Sequence, residues 1–400
     1  MRNIIITGGG FVNKGAQAMT FLTITSLKKQ FPKHRIYLLS DVELALPEEV
    51  RKQYAFDFMG WFPVKYAKAQ KNPLLHLSCY IRSSDELKVC EEIYQNTDLM
   101  IDISGYALGS NWSHAFCNDF LDHLEFAKTF GFPIYLMPQT FGPFDYTDAK
   151  GRAIMARCKK LLPYAKVIYA REQKSFDALV SNFGLTNVVL AKDMVLCGGE
   201  PNADLIFANQ FTHPLPVISK NSVAIIPNQR NNRVGAGSML DSLYQSIIPQ
   251  LLAMGKTIYL LCHSNHDIEL CQSLKNQFLS ENRVVYLSQD FNCIEFNHLV
   301  KQFDFLIASR FHSIVHAYKN GIPCITLGWA EKYHQLLSLF HQEQYMFDVR
   351  KEIDPQNLYN AICTLNEHRD EESNTILTKL PPLRKEDVLL STSFSLKEPS

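Results

Sequence analysis

The sequence predicts an α/β protein made of two doubly wound parallel-sheet, Rossmann-like domains that face each other across a cleft. Three observations lead there. Short apolar runs alternate with longer amphipathic stretches along most of the chain, the pattern of strands joined by helices. The 400 residues exceed one ordinary core and suit two domains. The periodicity breaks near 198–221, where Gly198-Gly199-Glu200-Pro201 and Pro214-Leu215-Pro216 interrupt it.

In the first half the predicted strands cover 4–7, 35–39, 99–103, 133–137 and 167–170, with helical patterns over 16–30 and 116–130, the latter stopped by Gly131 and Pro133. In the second half they cover 222–227, 257–262, 284–287, 304–308 and 323–327. These runs divide the chain into an N-terminal domain over 1–205, a C-terminal domain over 219–345, and a remainder over 346–400. That remainder carries one helical pattern, 355–369, followed by a polar tail.

Composition excludes several classes of function. Hydrophobic residues make up 46% and charged residues 20%, the profile of a soluble globular protein. Forty basic residues balance forty acidic ones, so no net field favours nucleic acid or an anionic membrane, and an anionic ligand needs a local cluster of cations. No run of 18 or more apolar residues is present, and the first residues enter a short apolar strand without a signal-peptide pattern. Ten cysteines lie between Cys79 and Cys363 with no C-x-x-C pair, which predicts reduced thiols and a cytoplasmic location. His312 and His316 are one helical turn apart, but the glutamate of an H-E-x-x-H zinc site is missing, so no metal is expected.

Open parallel sheets bind ligands outside the carboxyl ends of their strands, which selects the loops that matter. Ser309-Arg310-Phe311-His312-Ser313 lies between the strand 304–308 and a helix predicted over 314–320. Free N–H groups, the helix dipole, a guanidinium and an imidazole there would form an anion pocket able to move protons; packing alone would also account for them. Arg230 follows the strand 222–227, and in a doubly wound sheet the first and fourth strands can adjoin, which would bring it to Arg310. The alternative is a solvated arginine in a loop that also holds Arg233.

The loop Gly8-Gly9-Gly10-Phe11-Val12-Asn13-Lys14-Gly15 invites a dinucleotide reading, with Asp41 closing the second strand. G-x-G-x-x-G counted from Gly8 requires glycine where Asn13 stands, so nicotinamide is rejected, while a sugar or phosphate can still approach the glycines. Asp102 to Tyr106, Pro138-Gln139-Thr140-Phe141-Gly142-Pro143 and Arg171-Glu172 end further first-half strands with groups suited to carbohydrate or to tight turns. Gly328-Trp329-Ala330-Glu331-Lys332-Tyr333 follows the last second-half strand, and Lys332 meets either a phosphate or solvent.

Asn13-Lys14-Gly15-Ala16, Pro138 to Pro143, Ala170-Arg171-Glu172, Arg310-Phe311-His312 and Gly328-Trp329 with Lys332, in that order over 3–340, resemble the polysaccharide pyruvyl transferase family. The chain departs from it at Ala16, where many members carry aspartate, and Arg230 falls slightly later than the family's arginine. The resemblance implies a fold similar to B-type glycosyltransferases, with phosphoenolpyruvate on the C-terminal domain and the acceptor on the N-terminal one. It implies transfer of a pyruvyl group from phosphoenolpyruvate, as co-substrate without further cofactor, to a sugar, oligosaccharide or lipid-linked glycan, forming a ketal in a cell-surface polysaccharide or its precursor. Arg310 and His312 take the catalytic roles; Arg230, Lys332, Arg171, Asn13, Gly15 and Gln139 are the substrate-binding candidates. Peripheral association with a membrane through the acceptor stays open. The rival readings are a glycosyltransferase using a nucleotide-sugar and a non-catalytic carbohydrate-binding protein.

Overall fold

The computed structural model describes residues 2–60, 84–209, 214–231 and 237–398; Cys79 and Arg233 lie outside them. The first strand, β1 (Asn3–Thr7), is buried along its whole length, as a central parallel strand covered on both faces must be. It pairs on one side with β2 (Arg35–Leu39), which pairs with β3 (Asp57–Met59). On the other side lies β4 (Thr97–Asp102). The short β5 (Tyr106–Leu108) pairs with the end of β6 (Ile134–Phe141), and β7 (Val167–Ala170) and β8 (Val188–Leu190) complete the sheet in the order β3-β2-β1-β4-β6-β7-β8. The second sheet has the order β11-β10-β9-β12-β13-β14, formed by β9 (Ser222–Ile226), β10 (Thr257–Leu261), β11 (Val284–Leu287), β12 (Phe305–Ala308), β13 (Cys324–Gly328) and β14 (Met346–Asp348). Both sheets are parallel, as expected. The short edge strands β3, β5, β8 and β14 escape the sequence reading because none is longer than three residues.

Strand order reverses between β1 and β4 in one sheet and between β9 and β12 in the other. Such reversals open a crevice beyond the strand ends, and here the two crevices face one another. The register Ala308↔Ile226 confirms that the first and fourth strands of the second sheet adjoin, so Arg310 and Asn228 emerge together.

The halves share an apolar core. Helices Lys14–Gln30 and Phe311–Lys319 pack against one another, and one hydrophobic cluster runs from Ile4 and Phe21 to Ile314 and Ala308. Polar contacts stitch the same seam: Lys14 N–H donates to the His263 carbonyl (3.0 Å), Cys293 N–H to Gln17 Oε1 (2.7 Å), and Lys14 Nζ pairs with Asp290 (2.5 Å). Between Leu190 and Ser222 the chain passes from one sheet to the other through the short helix Met194–Cys197; residues 210–213 of this stretch lie outside the described set.

The remainder beyond 346 differs from the expectation of one helix and a polar tail. Helix Pro355–Glu367 is followed by helix Arg369–Arg384 and a short helix Val388–Ser391, and the last described residues return to the first domain. The Leu389 carbonyl accepts from Ser26 (3.1 Å) and Gln30 (2.9 Å), Tyr135 stacks edge-on with Phe394, and Lys397 N–H donates to the Asp98 carbonyl (2.8 Å). Leu389 and Phe394, apolar residues within a polar stretch, anchor it. Among the described residues no helix is long and apolar enough to cross a membrane.

Candidate active site

Between the facing strand ends lies a cavity of about 900 Å³ whose wall includes Asn13, Arg171, Arg230, Arg310, His312 and Lys332. Six of the eight residues singled out from sequence therefore meet at one place. Gly15 and Gln139 do not face it directly, and each has a separate reason.

Gly15 lies in the first turn of helix Lys14–Gln30, against the imidazole of His312. A Cβ there would stand 2.2 Å from His312 Nδ1, so only glycine lets the ring sit where it does. Gln139 is fully buried behind the wall, where its amide donates to Asp102 Oδ1 (2.9 Å). Asp102 also accepts from Ser104 N–H (3.2 Å) and Ser104 Oγ (2.9 Å), and so holds the loop after β4 that lines the cavity. The candidate Gln139 thus supports a wall with its side chain, while Thr140 to Pro143 of the same segment line the cavity. Burial raises the Asp102 carboxyl to about 6, against the pull of the Gln139 and Ser104 hydrogen bonds.

Asn13 caps helix Lys14–Gln30, its side-chain oxygen accepting from Ala16 N–H (2.8 Å), and its backbone bridges to Ser264 of the other half. It lines the cavity as a structural joint with one polar atom already committed.

The helix after β12 begins earlier than expected, at Phe311, so Arg310 is its N-cap and His312 lies in its first turn. The Arg310 fork is engaged by the fully buried Asp267, Nε to Oδ2 at 2.8 Å and NH2 to Oδ1 at 2.5 Å. His312 Nε2 stands 3.4 Å from Asp193 Oδ2, an ion-pair separation without a formed hydrogen bond. Asp193 is the N-cap of helix Met194–Cys197 and accepts from Val195 N–H (2.9 Å), Leu196 N–H (3.1 Å) and Arg171 NH1 (3.0 Å). Burial alone would raise its pKa, but His312, Arg171 and the Leu196 amide hold the carboxyl below the ordinary range.

Arg171 is buried and its donors are engaged by Glu172 (Nε, 3.0 Å), Asp193 and Thr140 (NH2, 2.7 Å). Its guanidinium lies 4.9 Å from the Phe311 ring centre, and Lys332 Nζ lies 5.0 Å from the same ring. The apolar residue between Arg310 and His312 thus carries two cations. Burial, reinforced by the charge of Arg171, lowers Lys332 to about 7.

Arg230 comes to the same cavity as Arg310 but rests on aromatic rings, 4.7 Å from Trp112 of the first domain and 5.7 Å from Trp329 of the second. Among the described residues it has no carboxylate partner, whereas Arg310 is tied to Asp267. Of these guanidiniums, Arg171 is paired with Glu172 and Asp193, and Arg310 with Asp267. Positive potential to draw an anion is left to Arg230, Lys332 and the N-terminus of helix Phe311–Lys319. The expected approach of Arg230 to the Arg310 pocket is thus met at one cavity, with the Arg310 fork already held by Asp267.

Asp193, Asp267, Trp112 and His263 were missed in the sequence. Asp193 and Asp267 follow β8 and the end of β10, so reading the carboxyl end of every strand would have found them. His316 is buried with its Nδ1 3.1 Å from Asn297 Oδ1, and burial lowers it to about 3. Among the described residues no group of three or more His, Cys, Asp or Glu side chains is placed to hold a metal ion, and the cysteines from Cys117 to Cys363 are free thiols.

Two parallel-sheet α/β domains with a cation-lined interdomain cavity at facing strand ends define the glycosyltransferase-B class of architecture. Structural comparison agrees. Staphylococcus aureus MnaA in its UDP co-structure superposes with a TM-score of 0.56 at 10% identity, covering 97% of this chain and 94% of that one. The UDP-GlcNAc 2-epimerase of Neisseria meningitidis bound to UDP-GlcNAc gives 0.55 at 11% identity, covering 97% of each. Medicago truncatula UGT71G1 complexed with UDP-glucose gives 0.54 at 11% identity, covering 98% of this chain and 96% of that one. Comparison with curated proteins finds no significant sequence match. The polysaccharide pyruvyl transferase family model matches residues 13–331, and the chain belongs to that family.

Proposed function

We propose that the protein transfers the pyruvyl group of phosphoenolpyruvate to two hydroxyls of a sugar in a cell-surface polysaccharide or its precursor, forming a ketal and releasing phosphate. The observation that supports this reading is the union of Arg310, His312, Lys332 and Arg171 in one interdomain cavity within a chain of this family. Phosphoenolpyruvate is the co-substrate, with no resident cofactor or metal. The reaction belongs in the cytoplasm, with peripheral membrane contact through a lipid-linked acceptor.

The chemistry requires a proton at C3 of the donor, which leaves C2 cationic. A sugar hydroxyl adds to C2 and loses its proton, the C2–O bond to phosphate breaks, and a second hydroxyl adds and loses its proton. Of the two hydroxyl protons, one balances that given to C3 and the other leaves with phosphate. His312 suits the acid role: its imidazole lines the cavity, with Asp193 Oδ2 3.4 Å from Nε2 to orient the ring. Asp193 is then a positioning residue. Lys332 and the amides at the N-terminus of helix Phe311–Lys319 receive the departing phosphate.

Phosphate release from phosphoenolpyruvate, measured over a panel of glycans and lipid-linked sugars, tests the reading. His312→Ala should lower it about 100- to 10,000-fold without unfolding the chain. A protein stabilised by UDP-sugars but not by phosphoenolpyruvate would instead be a glycosyltransferase.

A further inference from the structure

His263 follows β10 and stands at the cavity wall between Arg310, His312 and the seam with the first domain. Its backbone is fixed: its carbonyl accepts from Lys14 N–H, and the next residue, Ser264, bridges to Asn13. Its ring is fixed too, edge-on to Phe296 with centroids 5.2 Å apart and 6.5 Å from the ring of His316. The residue is 2% exposed, yet neither Nδ1 nor Nε2 meets a protein group. A buried polar group without a protein partner costs about 1–3 kcal/mol, and at a cavity wall that cost marks a ligand contact.

The surroundings choose the ligand atom. Cationic Arg310 (paired with Asp267) and Lys14 (paired with Asp290) lie near the ring, while the adjacent faces are the aromatic ring of Phe296 and the neutral ring of His316. Burial and these cations hold His263 well below its ordinary pKa, so the imidazole is neutral and offers one N–H and one lone pair. A neutral imidazole at the wall of a cation-lined cavity, its N–H without a protein acceptor, fits an anionic oxygen.

We propose that His263 is a phosphate-binding residue whose imidazole N–H donates to an oxygen of the phosphoryl group lodged between it and Arg310. The assignment of that phosphoryl group to phosphoenolpyruvate rests on the function proposed above; the hydrogen bond itself does not. His263 acts by positioning, since the proton it donates is shared and not transferred.

The full chain labelled with ¹⁵N-histidine is titrated with phosphoenolpyruvate, with inorganic phosphate and with UDP. A hydrogen bond to a charged group is worth about 1.5–3 kcal/mol, so His263→Leu should weaken binding of the phosphoryl ligand about 10- to 150-fold. His263→Gln, which restores a donor, should recover most of it, a rescue that a packing role would not produce. In the wild type the His263 ring N–H should shift on ligand addition, a readout independent of whether any variant folds. A shift with phosphate or UDP but not with phosphoenolpyruvate supports the hydrogen bond and sinks the donor assignment. No ring shift with any of the three, or a folded leucine variant that binds within twofold of wild type, overturns the proposal.

Discussion

Gly15→Ala isolates the position of one imidazole. Gly15 is not among the residues with positive φ, so helix Lys14–Gln30 accepts alanine there and gains up to about 1 kcal/mol of propensity. The new methyl would lie 2.2 Å from His312 Nδ1, 2.3 Å from Cγ and 2.6 Å from Cβ. Ordinary contacts between such atoms are about 3.5–4.0 Å, so His312 must retreat by about 1 Å. A rotamer change does not suffice, because Cβ itself is in the way; helix Phe311–Lys319 has to move from helix Lys14–Gln30. Displacing a reacting group by about 1 Å costs on the order of 100-fold in rate, and overpacking destabilises by about 1–3 kcal/mol. The expected result is a folded protein, melting a few degrees lower, with donor-dependent phosphate release reduced about 100-fold. The double variant with His312→Gly, which removes the Cβ that the methyl strikes, should be no worse than His312→Gly alone, because both changes remove the same group. A Gly15→Ala protein active within threefold of wild type would refute the link between this contact and the chemistry.

Three other expectations follow from charge and packing. Lys332, held near 7, takes up its proton when an anion binds, so the affinity for phosphoenolpyruvate should fall as pH rises from 7 to 9, by at most about tenfold per unit, and Lys332→Gln should flatten the slope. Asp102, raised from 3.8 to about 6, binds its proton more tightly in the folded state; the resulting stability is present below about 4 and is lost as pH rises through 6. Asp102→Asn, which keeps an acceptor for Ser104 and Gln139, should therefore gain on wild type by up to about 3 kcal/mol between pH 4 and pH 7 in urea melts; an unchanged difference would show the carboxyl is not burdened by burial. Deleting residues 388–398 should lower the melting temperature by several degrees through loss of the buried Leu389 and Phe394, and an unchanged melt would show that the returning tail bears no load.

Much of the fold is legible because its strands are continuous apolar runs, and runs such as Ile4 to Ile6 are buried for the same reason they are conspicuous. The adjacency of β9 and β12, and hence the approach of Arg230 to the Arg310 cavity, follows from doubly wound order alone. What sequence could not convey is which charges are already engaged. Asp267 and Asp193 look like ordinary loop acids, yet they occupy Arg310 and face His312 from distant elements. Gln139 shows the converse: its segment marks the site correctly, while its side chain turns inward to Asp102. The beginning of helix Phe311–Lys319 was misplaced because Arg310 caps it through backbone geometry, without a side-chain cap bond.

The return of the chain's end to the first domain has a mechanical meaning. The halves are joined at two crossings, once through Met194–Cys197 and again through the stretch ending in Val388–Ser391. Helix Met194–Cys197 touches helices Lys14–Gln30, Phe311–Lys319, Arg369–Arg384 and Val388–Ser391, so both crossings pass through one knot of packed helices. At this knot Asp193 Oδ2 stands 3.4 Å from His312 Nε2, whereas at the rim the exposed Lys174 and Glu331, one on each domain, pair at 2.8 Å. The contact that orients His312 is therefore held within buried packing common to both halves, while the rim pair, open to water, adds little to their joining.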